Sequence, residues 1–598
     1  MTRRTRTRPR ARPRARPRPR AGRLAAAVLT ALLLLLPAAC VSLPESGPVV
    51  QTDASRDTGQ GTGFTFDPLP PQPDASPAEV VKGFLDAMTA VPIQTSSAAQ
   101  FLTQEARTTW RPQQRTITYG ATTAPVGTSR VTVQVSEGGN RFDARGAWLG
   151  PLRGEQRELS FIMQQDEQGQ YRIARPPDAL IVPESWFEAR FERLSLHFFD
   201  PAARVLVPEP VFVVDDDALA TRLVEGLLEG PRGGAGGSRT FFPTGTRKEL
   251  SVPVSDDGVA SVSLIDVGRQ TPESMSLMVV QLAATLRQVP GLDALRVSVD
   301  GQPLVLPAGD DGRFPIDLGA EYDAAVPHAN AAVFGLRDGL LVAGIPEAMD
   351  AVGGPFGTAA QGLRSIAVNL DGDTAAGVSE DGTSLLLGPV YDDRGVAREV
   401  LADATDLLEP SWDHAGRLWL VDRGRRDARV YHRRDGATEE LRVRGITGTD
   451  VRALAVSRDG SRLVAVVRRS GRDEIVVSRV LHGDQGEVLR ATGATSILGG
   501  TGEPQRIRDI AWQTPVTVAA LVQVTAELWE VRTVAVDGAP TSQDSVATLN
   551  GPVRSLAGSP VPGQDLVVLT RDEAISVAES VTGRVPVQAG QQTLGYAG

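Results

Sequence analysis

The residue types that most often do chemistry are scarce in this chain. It has one cysteine, Cys40, in 598 residues, so no disulfide can form within it. Its five histidines are His197, His328, His414, His432 and His482; no two stand at metal-ligand spacing, and no HExxH motif occurs. His432 and His482 are expected in hydrophilic turns, in contact with solvent. His414 follows Trp412-Asp413 in an expected turn, where a local hydrogen bond is its natural role. No Gly-Lys pair offers a phosphate loop, and no GxSxG elbow offers a serine nucleophile. Asp215-Asp216-Asp217 is the densest acidic run of note, yet it immediately precedes the helical string ALATRLVEGLLEG. Three acids there satisfy free N–H groups and the helix dipole, and no other ligand cluster accompanies them to make a metal site. Carboxylates are plentiful enough that folding could pair two of them for hydrolysis, but the sequence marks out no pair. No catalytic residue, cofactor or metal ligand is assigned.

Cys40 gains meaning from what precedes it. Residues 1–23 hold eleven arginines and no acid, interleaved with proline. An unbroken apolar run, Leu24 to Leu36, leads to Pro37, Ala38 and Ala39. A basic segment, a short apolar core and small residues before a cut site make an export signal. The run is shorter than the ~20 residues of a bilayer-spanning helix. The hydrophobic core also argues against a DNA-binding reading of the arginines. The hydrophobic residues of a twin-arginine signal are absent after Arg3-Arg4, which leaves general export. The string PAAC resembles a bacterial lipobox, with Pro37 where leucine is usual. That resemblance implies cleavage before Cys40, lipid on its thiol, and anchorage on the extracytoplasmic face of the cell membrane. An ordinary secretory signal with an incidental cysteine is the alternative.

Loss of residues 1–39 takes the formal charge from −10 to −21, with 51 basic residues against 72 acidic. Such a balance argues against a nucleic-acid partner. Residues 40–76 are rich in Gly, Pro, Ser and Asp and predict a flexible tether. Three domains are expected after it.

The first, 77–200, opens with Ser76-Pro77 capping a helix whose apolar residues (Val80, Val81, Phe84, Leu85, Met88) keep helical spacing. A second helix is expected at about 97–110, then strands at 130–137, 157–165 and 169–177, with 185–200 closing an α+β unit. Helix, helix and meander in that order resemble the nuclear-transport-factor-like (NTF2-like) fold. The second domain, 203–320, reads as a strand pair at 203–214, a helix after the three aspartates, a hairpin turning at Asp257-Gly258, and a long amphipathic helix from Ser274. Its strings LLEGP (227–231), FPTGT (242–246), DGVASVSL (257–264), QLAATL (281–286) and VPGLDALRVSVDGQP (289–303) resemble the GerMN domain. That α+β module is regarded as a cell-envelope binding unit with no established catalytic set.

The third domain, 326–598, is all-β. Five strings align: LRSIAVNLDGDTAAGV (363), LLEPSWDHAGRLWLVD (407), VRALAVSRDGSRLVAVV (451), IRDIAWQTPVTVAALVQ (507) and VRSLAGSPVPGQDLVVLT (553). Their starts lie 44, 44, 56 and 46 residues apart, the period of a four-stranded propeller blade. Residues 331–345 supply strands to complete a blade with the C-terminal end. A β-sandwich with accidental spacing is the alternative.

The whole order resembles the LpqB lipoproteins of actinobacteria, including CVSLPESGPV after the signal and GQYRIARPP late in the first domain. The resemblance implies an accessory role beside the MtrA–MtrB two-component system. In it, the lipoprotein contacts the extracytoplasmic domain of the sensor histidine kinase MtrB and influences cell-envelope homeostasis. Two further classes stay open: a peptidoglycan-binding wall protein with no kinase partner, and an envelope hydrolase. From the residues alone the reading is an anchored, multidomain, non-enzymatic surface protein.

Overall fold

The computed structural model describes residues 68–598, apart from 233–236, 310–311, 325–331, 425–426, 499–505, 541–546 and 578–581. Cys40 and His328 therefore lie outside the described residues. Residues 65–598 form one compact unit. No helix among the described residues is long and apolar enough to cross a membrane.

The first domain starts at helix Pro77–Ala87. Ser76 caps it in a reciprocal box: its hydroxyl accepts from the Glu79 amide, and the Glu79 carboxylate accepts from the Ser76 amide at 2.8 Å. Its apolar stripe buries Val80, Val81, Phe84 and Leu85 against Phe161 and Trp110. The helix expected at 97–110 is two short ones, Ser96–Ala99 and Gln104–Thr109. Between them Leu102 bridges to Ile173, and the Thr103 hydroxyl caps the second by accepting from the Ala106 amide. Strands Arg130–Glu137, Glu158–Gln165 and Tyr171–Arg175 form the expected antiparallel meander.

The segment expected to close this domain does something else. Strand Phe191–Phe199 pairs along its whole length with Leu206–Val214, so 203–214 is not a strand pair but one half of a long ribbon. VPEPV reads as a strand break because proline cannot donate to a ladder. Pro208 and Pro210 oppose His197 and Ser195, whose backbone groups point away from the ribbon partner. The missing proline N–H groups therefore fall on the outer edge and cost no ladder bond.

On the other edge a helix takes the place of a third strand. The helix Pro272–Leu286 is buried on all sides from Leu277 to Leu286, not amphipathic as expected. Its polar residues serve the ribbon. Gln281 donates to the His197 carbonyl, and Thr285 accepts from the His197 amide at 3.0 Å. Just past its end, Gln288 bonds both the amide and the carbonyl of Ser195. Leu194, Leu196 and Phe198 enter one core with Leu282, Leu286, Val262 and Leu295, the centre of the second domain. Meanwhile Phe191 stacks on Phe187, and Phe212 meets Phe142 edge to face, both partners belonging to the first.

The C-terminal region is a ring of six antiparallel sheets, five of four strands and one of five, hence a six-bladed propeller. Blades two to six begin with inner strands at Leu363, Ser411, Asp450, Arg506 and Val553. Blade one uses Val333–Arg337, Leu340–Ile345 and Ala348–Ala351, and Gly595–Tyr596 from the chain end completes it. Consecutive inner strands touch all the way round. The 56-residue interval has a physical origin: blade four carries a fifth strand, Thr495–Leu498, paired to the long strand Arg472–His482.

That enlarged blade docks on the ribbon, where Arg479 pairs with Glu209 at 3.1 Å and Arg462 donates to the Pro208 carbonyl at 2.6 Å. The next blade adds Asp537, which meets Arg193 of the ribbon at 3.1 Å. One ribbon thus packs against all three domains.

Candidate functional site

The propeller encloses a channel of about 660 Å³, lined by the inner strands. Four of these strands carry a register shift near their start, between Leu363 and Ser365, Val451 and Ala453, Ile507 and Asp509, and Val553 and Ser555. A bulge leaves one residue unpaired and re-aims its side chain. In all four blades that residue is arginine: Arg364, Arg452, Arg508 and Arg554, each lining the channel. With Arg423 and Arg458 they place six guanidinium groups on its wall, inside a chain of net negative charge.

Part of this charge is answered locally. Asp406 pairs with both Arg364 and Arg423, and Asp450 with Arg452 at 2.7 Å. Arg458, Arg508 and Arg554 form no ion pair among the described residues. They bond carbonyls instead: Arg508 donates to Arg554 O at 3.1 Å, Arg554 to Gln591 O at 2.5 Å, and Arg458 to Gly558 O at 2.8 Å. The structural role of these bonds is to clamp blade to blade. Each uses a minority of the five donors a guanidinium carries. Desolvation holds Arg458 down to about 10.

Two carboxyls also face the channel: Asp509, directly after a bulged arginine, and Glu409, just before the inner strand Ser411–Trp412. Glu409 touches channel solvent, but the enclosing wall displaces bulk water and pushes its carboxyl up to about 8, with the charge of Asp509 adding to the effect. Asp509 is raised to about 6 by the same desolvation, offset by amides of Leu556 and Ile510 that donate to it at 2.8 and 2.9 Å. The channel wall therefore combines guanidinium donors with two carboxyls raised above their ordinary range.

The residues singled out by type lie elsewhere. His432 and His482 are not in solvated turns: they sit within or at the end of strands, 8% and 7% exposed. Their neighbours pack around strand positions that a polar local sequence disguised. His414 makes no side-chain hydrogen bond through Nδ1, which is buried without a partner. His197 is on the ribbon, where desolvation holds its imidazole down to about 3. Asp215, Asp216 and Asp217 are exposed before helix Leu219–Leu228, and Asp216 accepts from the Ala218 amide and pairs with Arg222. No group of three or more His, Cys, Asp or Glu side chains suited to a metal occurs among the described residues. The arginine ring matches no chemical motif, although arginine is the second residue in four of the five repeat strings.

Comparison with known proteins gives these elements a family. Residues 70–188 match the model "Lipoprotein LpqB, N-terminal domain", and 339–591 match "Lipoprotein LpqB beta-propeller domain". Between them, 195–305 match the Germane model, "Sporulation and spore germination". "Lipoprotein LpqB" of Streptomyces coelicolor is 25% identical, with 90% of this chain and 92% of the relative covered. That of Thermobifida fusca is 26% identical, with 95% and 99% covered. Among solved structures, TolB from Acinetobacter baumannii is similar at 12% identity and a TM-score of 0.31, covering 55% of this chain and 86% of its own. With its N-terminal and propeller domains both matched, and relatives aligned over nearly its full length, this chain belongs to the LpqB family of lipoproteins.

Proposed function

We propose that this chain is anchored by lipid on Cys40 at the extracytoplasmic face of the cell membrane. There it acts as an accessory of a two-component sensor kinase of the MtrA–MtrB type in envelope homeostasis. The family supports the anchor, since its members are named as lipoproteins. The observation that carries the binding role is the ribbon, which fixes the propeller to the other two domains through Arg479–Glu209 and Arg462–Pro208. A rigid frame presents many loop side chains at little ordering cost, as a protein-binding surface requires. Confinement of both partners to one membrane raises their effective concentration, so a weak contact suffices. The test is binding of the purified extracytoplasmic sensor domain to residues 65–598 kept whole. Saturable binding supports the reading. Failure to bind, together with retention on purified peptidoglycan, replaces it with the wall-binding alternative.

A second reading, an envelope hydrolase, draws on one feature. Glu409 at about 8 and Asp509 at about 6 share the channel, and carboxyls with separated pKa values suit an acid and a base. Release of soluble fragments from cell wall, lost in Glu409→Gln, supports this reading; no release removes it.

A further inference from the structure

Buried donors without partners are unevenly spread in this molecule. Among the described residues, thirteen buried side-chain atoms lack a hydrogen-bond partner, and five of them belong to residues that line the channel: Ser365 Oγ, Arg452 Nε, Arg458 Nε, Trp512 Nε1 and Ser555 Oγ. All five belong to groups able to donate. A buried donor without a partner is destabilising, so such a concentration calls for acceptors on the channel side. Arg452, Arg508 and Arg554 stand at the bulges of three consecutive blades, and the last two form no ion pair among the described residues. The bond from Arg508 Nε to the Arg554 carbonyl brings these two residues together at the end where the inner strands begin. Ser555, with its unpartnered hydroxyl, follows directly in the chain.

We infer that this end of the channel is a binding site for a small ligand bearing an oxyanion, carboxylate or phosphate, seated between Arg508 and Arg554 with the Ser555 hydroxyl as a further donor. Guanidinium groups suit such oxygens because their forked donors match them in pairs. A cavity of about 660 Å³ admits a small molecule or the end of a chain. The carboxylate of Asp509, beside Arg508, accepts from the amides of Leu556 and Ile510 and forms no ion pair with Arg508 among the described residues, so the guanidinium keeps free donors. The blade-clamping bonds do not fill the site either, since each engages one donor of its arginine. This site is independent of any kinase partner.

The experiment is calorimetric titration of residues 65–598, a compact unit by themselves, with inorganic phosphate and, separately, with citrate at fixed ionic strength. Binding of either anion is expected, weakened tenfold or more by R508Q/R554Q. Tighter binding of phosphate assigns the phosphate source, and tighter binding of citrate the carboxylate one. Because the arginines also clamp blades, Ser555→Ala is the second variant: its hydroxyl holds nothing in the fold, so affinity should fall severalfold at an unchanged melting temperature. R584Q, on an outer strand, should bind as the parent does. Binding of neither anion, or equal affinity in the parent, R508Q/R554Q and S555A, overturns the proposal.

Discussion

Arg479 of the propeller reaches Glu209 of the ribbon at 3.1 Å, and Glu209 is 2% exposed. A carboxylate so buried needs several partners, and it also accepts from the Arg232 amide at 3.3 Å. Replacing Glu209 by Ala leaves Arg479 facing the ribbon without its counter-charge. We expect a loss of roughly 2–3 kcal/mol at the interface. Urea unfolding of residues 65–598 should then separate into two transitions, with the propeller unfolding apart from the rest. A single transition at the parental midpoint contradicts this role. Cutting the chain near residue 325 would break the same contacts, so partner mapping is better done with surface variants than with fragments.

A second buried pair lies inside the propeller. Asp413 and Arg417 meet at 2.7 Å with side chains 0% and 3% exposed. Asp413 also accepts from the Trp419 indole at 2.9 Å, while Arg417 donates to the Gly486 carbonyl. Asp413→Ala strands a buried guanidinium, at a cost of roughly 3–5 kcal/mol. Chemical denaturation measures it, and a change under 1 kcal/mol would show that water replaces the carboxylate without penalty.

These two networks show what sequence patterns carry and what they hide. The Ser76–Glu79 capping box, the alternating strands of the first domain and the blade period are local signals, set by neighbours a few residues away. Pro208 and Pro210 gave a false break because their effect depends on which edge of the strand faces its partner, a tertiary fact. Gln281 and Thr285 sit on the fully buried stretch of a helix for the same reason: they satisfy the backbone of a distant strand. The arginine ring was written in the repeats. Yet in a chain with sixty arginines, four at one repeat position carry little signal until bulges set them around a channel.

Acid should weaken the propeller through His482. It is 7% exposed, and desolvation first, then the charge of Arg417, holds its imidazole down to about 4. In the unfolded chain it titrates near 6.5. Its neutral form is therefore the stable folded form, and its contribution is complete above pH 6.5. As pH falls from 6.5 towards 4, the unfolded state takes up a proton that the folded state refuses, and stability is lost. Thermal melts at pH 7 and pH 5 should show a smaller acid-induced drop for His482→Gln than for the parent. Equal drops in the two proteins rule out this histidine as a source.

The anchor can be tested without any knowledge of the partner. Cys40 is the only thiol in the chain, so any thiol-linked acyl label must sit there. Each buried methylene of an acyl chain contributes about 0.8 kcal/mol to membrane attachment, and stable anchoring takes more than one chain. Cys40→Ala removes the thioether-linked lipid and, on the lipobox reading, the cue for cleavage before residue 40. We expect the variant to incorporate no alkyne-tagged fatty acid. Whatever fraction is still cut by a general signal peptidase should leave the membrane pellet for the medium. The parent should carry the label and stay in the pellet through a high-salt wash, because lipid attachment is not screened by ions. Equal labelling of the variant and the parent would remove Cys40 as the attachment point. An unlabelled parent recovered wholly in the medium would favour the ordinary secretory signal instead.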